Sequence, residues 1–298
     1  MTMKPRVVDV EDAMRTLLMF MDFNSIDGVL ATLQRDKSGQ ALLLDDRLWS
    51  ELLAIHFTGR IPSDLVHLSL PQVERGWLWN DDQLTCEGVR EFLRSGDERE
   101  HFRRTVSILR ADIGTIKEID GEPVDVLAFP TNSYLTNHHM GAAAAIFRRA
   151  GRGLTDHVLD VDFRRRRDVS DAVPTPAFDA GVKRLIHCVG PRISHPMPFD
   201  MLARTYANVM NTVLVENLHC VAIASISTGA MGFPGRQSAR VALRTLQRFI
   251  RGCHWEGKIA IVCVDDKLLE DFQQEYATLL GSFNAELVLP TSSDDIDM

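Results

Sequence analysis

Long apolar runs are missing from this chain. No stretch reaches roughly 18 consecutive apolar residues, so no membrane span is expected. The first residues, MTMKPRVVDVEDAMRT, hold no apolar core followed by a small-residue cleavage site, so no secretory leader is expected either. Cysteine is sparse. The five residues Cys86, Cys188, Cys220, Cys253 and Cys263 are scattered and form no C-x-x-C pair, which argues against a disulfide framework and against a metal site. Cys188, Cys220 and Cys263 lie in or beside apolar runs, where buried, reduced thiols are expected, and a cytoplasmic or nuclear setting follows. Positive charge is in deficit. Lys and Arg number 33 against 41 Asp and Glu, a formal charge of −8, which disfavours general nucleic-acid binding but leaves room for a local phosphate pocket. There is no G-x-x-x-x-G-K-[ST] loop and no G-x-G-x-x-G, so a P-loop NTPase and a Rossmann dinucleotide site are disfavoured. Internal repeats and low-complexity tracts are absent.

What is present suffices for a packed core, with 45% hydrophobic and 25% charged residues. Residues 11–105 read as mostly helical, with Ala13, Leu17, Leu18 and Met21 and later Leu48, Leu52, Leu53 and Phe57 at helical spacing. The polar stretch SGDERE (95–100) reads as a loop or linker. The texture then changes. TVSILRADI, VDVLAFP, VKRLIHCVG, CVAIASIS and KIAIVCVDD read as strands, and residues 141–151, 198–217, 236–251 and 268–280 as helices between them. Continuous apolar strands alternating with helices imply a sheet buried on both faces, hence a three-layer α/β fold whose ligands bind beyond the carboxyl ends of the strands. The acidic tail TSSDDIDM (291–298) is expected to be disordered.

Three segments that follow strands carry chemistry. In FPTNSYLTNHHMGAAAAIFRRAG (129–151), Gly141 opens a helix whose first turn is alanine. Free N–H groups and the helix dipole can make an anion seat there, although for a lone glycine structural punctuation is the preferred reading. In SISTGAMGFPGRQSAR (225–240), Gly229 and Gly232 bracket Ala230 and Met231 after a buried strand, so that backbone N–H groups can converge on a diphosphate, with hydroxyls from Ser227 and Thr228 beside them. In ADIGTI (111–116), Asp112 follows a strand and either caps a turn or accepts a hydrogen bond from an exocyclic amine.

Together these segments resemble the macro domain family. ADIGTI at 111–116, VDVLAFPTN at 124–132, AIFRRAG at 145–151, LIHCVGP at 185–191 and ISTGAMGFP at 226–234 match its five motifs in family order and at family-like spacing. The resemblance implies a three-layer α/β/α macro domain with a mixed central sheet over residues 105–283, preceded by a mostly helical region at 1–104 and followed by an acidic tail at 284–298. It implies an ADP-ribose pocket that needs no further cofactor. In it Asp112 takes the adenine amino group with Ile113 beside the ring, and Asn132 contacts the distal ribose. Gly141 and Ala142 hold part of the diphosphate, and Ser227, Thr228, Gly229, Ala230, Met231 and Gly232 wrap the other side. Phe233 packs on the distal ribose or, alternatively, is a core aromatic.

The sequence also departs from the family. Phe129 stands where the pattern has its first Asn, His138-His139-Met140 replaces a glycine run, and Ala143 falls where the hydrolysing subfamily carries its catalytic Asp. An alanine can neither accept a proton nor orient water. Asn132, His138 and His139 are then the candidate catalytic residues: the paired histidines are rim residues, a general base or zinc ligands. The run Arg164–Arg167 is a solvated loop or a partner-binding rim.

Within 17–57, Asp45, Leu48, Trp49, Leu52 and Leu53 give a faint resemblance to an F-box, which implies a ubiquitin-ligase adaptor as partner; a helical packing extension is the alternative. Three functions are therefore open: a reader of ADP-ribose or ADP-ribosylated protein, an enzyme that removes ADP-ribose or deacetylates O-acetyl-ADP-ribose, and a ligase adaptor. Binding is preferred over catalysis.

Overall fold

In a computed structural model, which describes residues 10–35, 37–65, 85–286 and 289–290, the chain divides into two compact units. One comprises residues 1–101 with 280–286, the other 102–279 with 287–298. The expected disorder of the tail at 291–298 falls outside the described residues.

The first unit is helical: Val10–Phe20 (α1), Phe23–Leu33 (α2), Lys37–Leu44 (α3), Asp46–Phe57 (α4) and most of Glu87–Thr105 (α5). Local chemistry starts these helices. The Asp22 carboxylate accepts from Ser25 N–H at 2.8 Å, and Asp45 accepts from the N–H groups of Arg47 and Leu48 at 3.1 Å, each satisfying donors a helix start leaves open. The apolar residues of the F-box likeness, Leu48, Trp49, Leu52 and Leu53, are all fully buried in this unit. The Trp49 indole donates to the Leu42 carbonyl at 2.8 Å. That bond ties α4 to α3.

One expectation is overturned. SGDERE is not a linker but lies inside α5. Ser95 and Glu98 are buried, and Ser95 Oγ accepts from the Asn284 amide at 2.9 Å. Gly96 is required by packing, because a Cβ there would sit 1.8 Å from the Phe23 ring. Arg99 lies over the Phe57 ring at 4.6 Å. A polar helix face that is buried and satisfied reads as a loop when only hydropathy is followed.

The second unit is built on the apolar runs. Its strands are Val106–Arg110 (β1), Glu118–Ile119 (β2), Glu122–Pro123 (β3), Val126–Pro130 (β4), Ala172–Pro176 (β5), Arg184–Cys188 (β6), Cys220–Ala224 (β7) and Lys258–Cys263 (β8). Six form one sheet in the order β1-β8-β7-β4-β6-β5. All neighbours are parallel except β5, which runs antiparallel to β6 on the edge; β2 and β3 form a separate hairpin. The sheet is mixed, as expected. Gly141–Ala150 (α6), Arg152–Leu159 (α7), Pro198–Val215 (α8), Gly235–Cys253 (α9) and Asp266–Gly281 (α10) connect the strands.

Alternation sorts the strand residues into two buried layers. Leu127, Phe129, Leu185, Ala222 and Val262 join Ile146, Phe147 and Leu154 of α6 and α7 in one cluster, while Ala128, Ile186, Val221, Ile223 and Ile261 are equally buried on the other face. Both faces being covered is what a largely parallel sheet requires. Cys188, Cys220 and Cys263 are buried free thiols, and burial pushes them up to about 12, 11 and 12, so they stay protonated and unreactive.

Candidate functional site

Five parallel strands end on the same side, and the loops that leave them line one cleft of about 1070 Å³. At the end of β1, Asp112 Oδ1 accepts from Gly114 N–H at 2.8 Å. This holds the turn while leaving the exposed carboxylate further lone pairs for a ligand. Ile113 beside it is buried. Gly114 keeps this turn close to α6, since a Cβ there would lie 2.8 Å from Ala145 Cβ.

At the end of β4, Asn132 organises its own loop. Its Oδ1 accepts from the N–H groups of Tyr134 and Thr136 at 3.1 and 3.0 Å, and its Nδ2 is 3.4 Å from Thr136 Oγ1. The amide oxygen is thus occupied, and only Nδ2 remains to donate outward. The loop delivers the chain to Gly141, whose φ of +56° lies in the left-handed region that glycine enters without strain. Met140 supplies no side-chain cap, so the first N–H groups of α6 remain open to an anion.

At the end of β7 the loop is clamped from beneath. Ile226 N–H donates to the buried Tyr206 hydroxyl at 3.1 Å, and Ser227 Oγ donates to Pro191 O at 2.9 Å. Gly232 N–H closes a turn onto Gly229 O at 3.0 Å, and Ile193 N–H bonds Met231 O at 3.0 Å. Among the described residues, the N–H groups of Thr228, Gly229 and Ala230 have no protein acceptor. Three consecutive free donors on a rigid loop form an anion nest.

Of the residues expected at the site, Asp112, Ile113, Asn132, Gly141, Ala142, Ser227, Thr228, Gly229, Ala230, Met231 and Phe233 line this cleft. Gly232 does not; it makes the turn behind it, with φ +79°. The Ser227 hydroxyl is spent on Pro191, so that residue's offering is backbone. Phe233 lines the cleft and also packs edge-on against Phe199 at 5.4 Å.

His138 and His139 are not among the lining residues. Their rings lie against each other at 3.8 Å, and His138 packs on Phe147 at 5.8 Å. His138 Nδ1 donates to Thr136 O at 2.8 Å, a contact that stabilises the loop. Ala143 is also outside the lining. It is 1% exposed and belongs to the same core cluster as Phe129 and Phe147. Two of the departures from the family pattern, Phe129 and Ala143, therefore meet in one apolar core instead of in the cleft. Among the described residues no group of three or more His, Cys, Asp and Glu side chains is gathered to hold a metal ion.

Sequence reasoning missed the polar lining that comes from helices and from β8. Asn137, Arg148, Arg192, Asp265, Lys267 and Asp271 all face the cleft. Arg148 has a signal in hindsight, at helical spacing after Gly141 and Ala145. Its neighbour Arg149 is instead consumed by the carbonyls of Ala180 and Ile116, both at 2.7 Å. No ion pair engages Arg148, Arg192 or Lys267 among the described residues, which leaves cations to balance a bound diphosphate. Asp271 lies over the start of α9, where a Cβ on Gly235 would be 2.2 Å from its Oδ2. Burial holds its carboxyl above the usual range.

The macro domain family model matches residues 129–242. The O-acetyl-ADP-ribose deacetylase of Salmonella typhimurium is 32% identical to this chain over 143 residues, covering 47% of the chain and 78% of that enzyme. The chain belongs to the macro domain family. Solved macro domains share the fold. That of Oceanobacillus iheyensis with ADP superposes with a TM-score of 0.52 at 23% identity, covering 59% of this chain and 91% of that one. That of Trypanosoma brucei in complex with ADP gives 0.51 at 15% identity, covering 90% and 97%. The residues that match the family model lie within the second unit, and so does the whole lining of the cleft.

Proposed function

We propose that the macro domain cleft binds ADP-ribose, free or attached to protein. The observation that carries this reading is what one cleft gathers: a free carboxylate beside a buried isoleucine after β1, two sets of open backbone donors at the start of α6 and after β7, and Asn132 with Phe233. Asp112 suits an exocyclic adenine amine, the α6 start and the Thr228–Ala230 nest suit a diphosphate, and Asn132 Nδ2 with the Phe233 face suits the distal ribose. Competition binding with AMP, ADP and ADP-ribose tests this. Affinity should climb along the series, with the largest step at the second phosphate; equal affinity for all three would remove the diphosphate assignment.

Deacetylation of O-acetyl-ADP-ribose is the second reading, favoured by the relative 32% identical to this chain that carries that name. In this chain the machinery for it is thin. Position 143 is a buried alanine, both histidines stand outside the cleft lining, and the Asn132 oxygen is occupied by backbone donors. Acetate release from O-acetyl-ADP-ribose, measured on a sample shown to bind ADP-ribose, separates the two: binding without turnover supports a reader.

A further inference from the structure

The loop Arg164–Arg166 carries three exposed guanidinium groups. It is held in place by a fourth. Arg167 is 8% exposed and folds back over the Phe163 ring at 5.1 Å, donating to the Phe163 carbonyl at 3.3 Å. The loop start is closed by the N–H groups of Phe163 and Arg164, which bond Asp160 O at 3.2 and 2.8 Å. The Arg167 N–H donates to Ser133 O at 2.7 Å, and Ser133 follows directly on the cleft residue Asn132. The basic run is therefore pinned to the loop that leaves β4 beside Asn132, with Tyr134, 47% exposed, next in that loop.

No ion pair or hydrogen bond engages the side chains of Arg164, Arg165 or Arg166 among the described residues. Arg192 lines the cleft itself, also without an ion pair. Three consecutive exposed arginines, flanked in sequence by Asp160, Asp162 and Asp168, make a local concentration of positive charge on a chain of net charge −8. Like charges held together are destabilising in the free protein and are relieved by an anionic partner.

We infer, resting on the ADP-ribose reading of the cleft, that Arg164–Arg166 and Tyr134 form a docking surface for an acidic polypeptide segment flanking the modified residue of an ADP-ribosylated protein. The cleft would take the ADP-ribose, whose distal ribose carries the attachment point, and the guanidinium groups would meet Asp and Glu side chains on the chain emerging from it. Guanidinium is suited to this by its paired donors.

The test uses the full chain and two synthetic peptides bearing one ADP-ribose on serine, one flanked by Glu and Asp and the other by Gln and Asn. Wild type should bind the acidic peptide about three- to tenfold more tightly, as expected for three exposed pairs, with the preference fading at about 0.5 M NaCl. The variant carrying Arg164→Gln, Arg165→Gln and Arg166→Gln should bind both peptides alike and free ADP-ribose as wild type does. The inference is overturned if wild type binds both peptides equally, or if the triple variant keeps the preference. It is also overturned if a single-stranded RNA of matching charge displaces the acidic peptide more readily than an unmodified acidic peptide does. Failure to bind free ADP-ribose at all sinks the cleft reading itself, an outcome distinct from equal binding of the two peptides.

Discussion

The Ser227 hydroxyl donates to the carbonyl oxygen of buried Pro191 at 2.9 Å, joining the loop after β7 to the loop after β6. The fit is close, since a Cβ on Gly190 would lie 2.5 Å from Ser227 Oγ. The diphosphate nest thus stands on a contact between two strand ends. Ser227→Ala leaves a buried carbonyl unsatisfied and should cost roughly 1–3 kcal/mol of stability. Gly190→Ala should also destabilise, and less so in the Ser227→Ala background because the atom it meets is gone. Chemical denaturation of the four proteins in this cycle checks the coupling; strict additivity would contradict the contact.

His138 and His139 stand outside the cleft lining, and His138 contacts Thr136 of its own loop and Phe147. Replacing both by alanine should change ADP-ribose affinity by no more than about twofold, roughly 0.4 kcal/mol. A tenfold loss in calorimetric titration would return them to the site.

Ala143 faces the core shared with Phe129. Ala143→Asp should therefore bury an unpaired carboxylate, lower stability by about 2 kcal/mol or more, and confer no acetate release. Gain of turnover in this variant would show that the residue can reach the cleft.

His187 gives a pH signature. It is fully buried, with Nε2 3.2 Å from Thr175 Oγ1, and burial lowers its pKa to about 3 from the ordinary histidine value of about 6.5. The unfolded chain takes up this proton below about pH 6.5 while the folded chain refuses it until about pH 3. The unfolded state binds more protons in that window, so stability falls as pH falls. Between about pH 6.5 and 5.5, where carboxylates are still ionised, His187 alone should remove about 1 kcal/mol. Denaturation at both pH values, on wild type and His187→Gln, checks this: the variant should lose less on acidification, and equal losses would contradict it.

Much of the second unit is legible in the sequence because its strands are continuous apolar runs, and position in a parallel sheet then places their loops together. β5 escaped notice. Its sequence, AVPTP, holds Pro174 and Pro176, which a central strand does not tolerate; both lack an N–H, and an edge strand can turn those positions outward. α5 escaped because Ser95, Glu98 and His101 are polar yet buried. In the site, residues that offer backbone to a ligand could be found from glycine and strand ends. Lys267 and Asp271 could not, since which face of α10 meets the cleft depends on packing. Where the histidine rings lie was not legible for a related reason: loop membership does not fix where a ring points.

The central claim is that the Asp112 carboxylate recognises the nucleobase end of ADP-ribose in this cleft. Calorimetric titration of ADP-ribose into wild type and Asp112→Ala tests it most directly. A saturable one-site isotherm that weakens about 10- to 100-fold in the variant, the loss of one charge-assisted hydrogen bond of roughly 1.5–3 kcal/mol, is the predicted result. No binding to wild type, or the same affinity in both proteins, would contradict it.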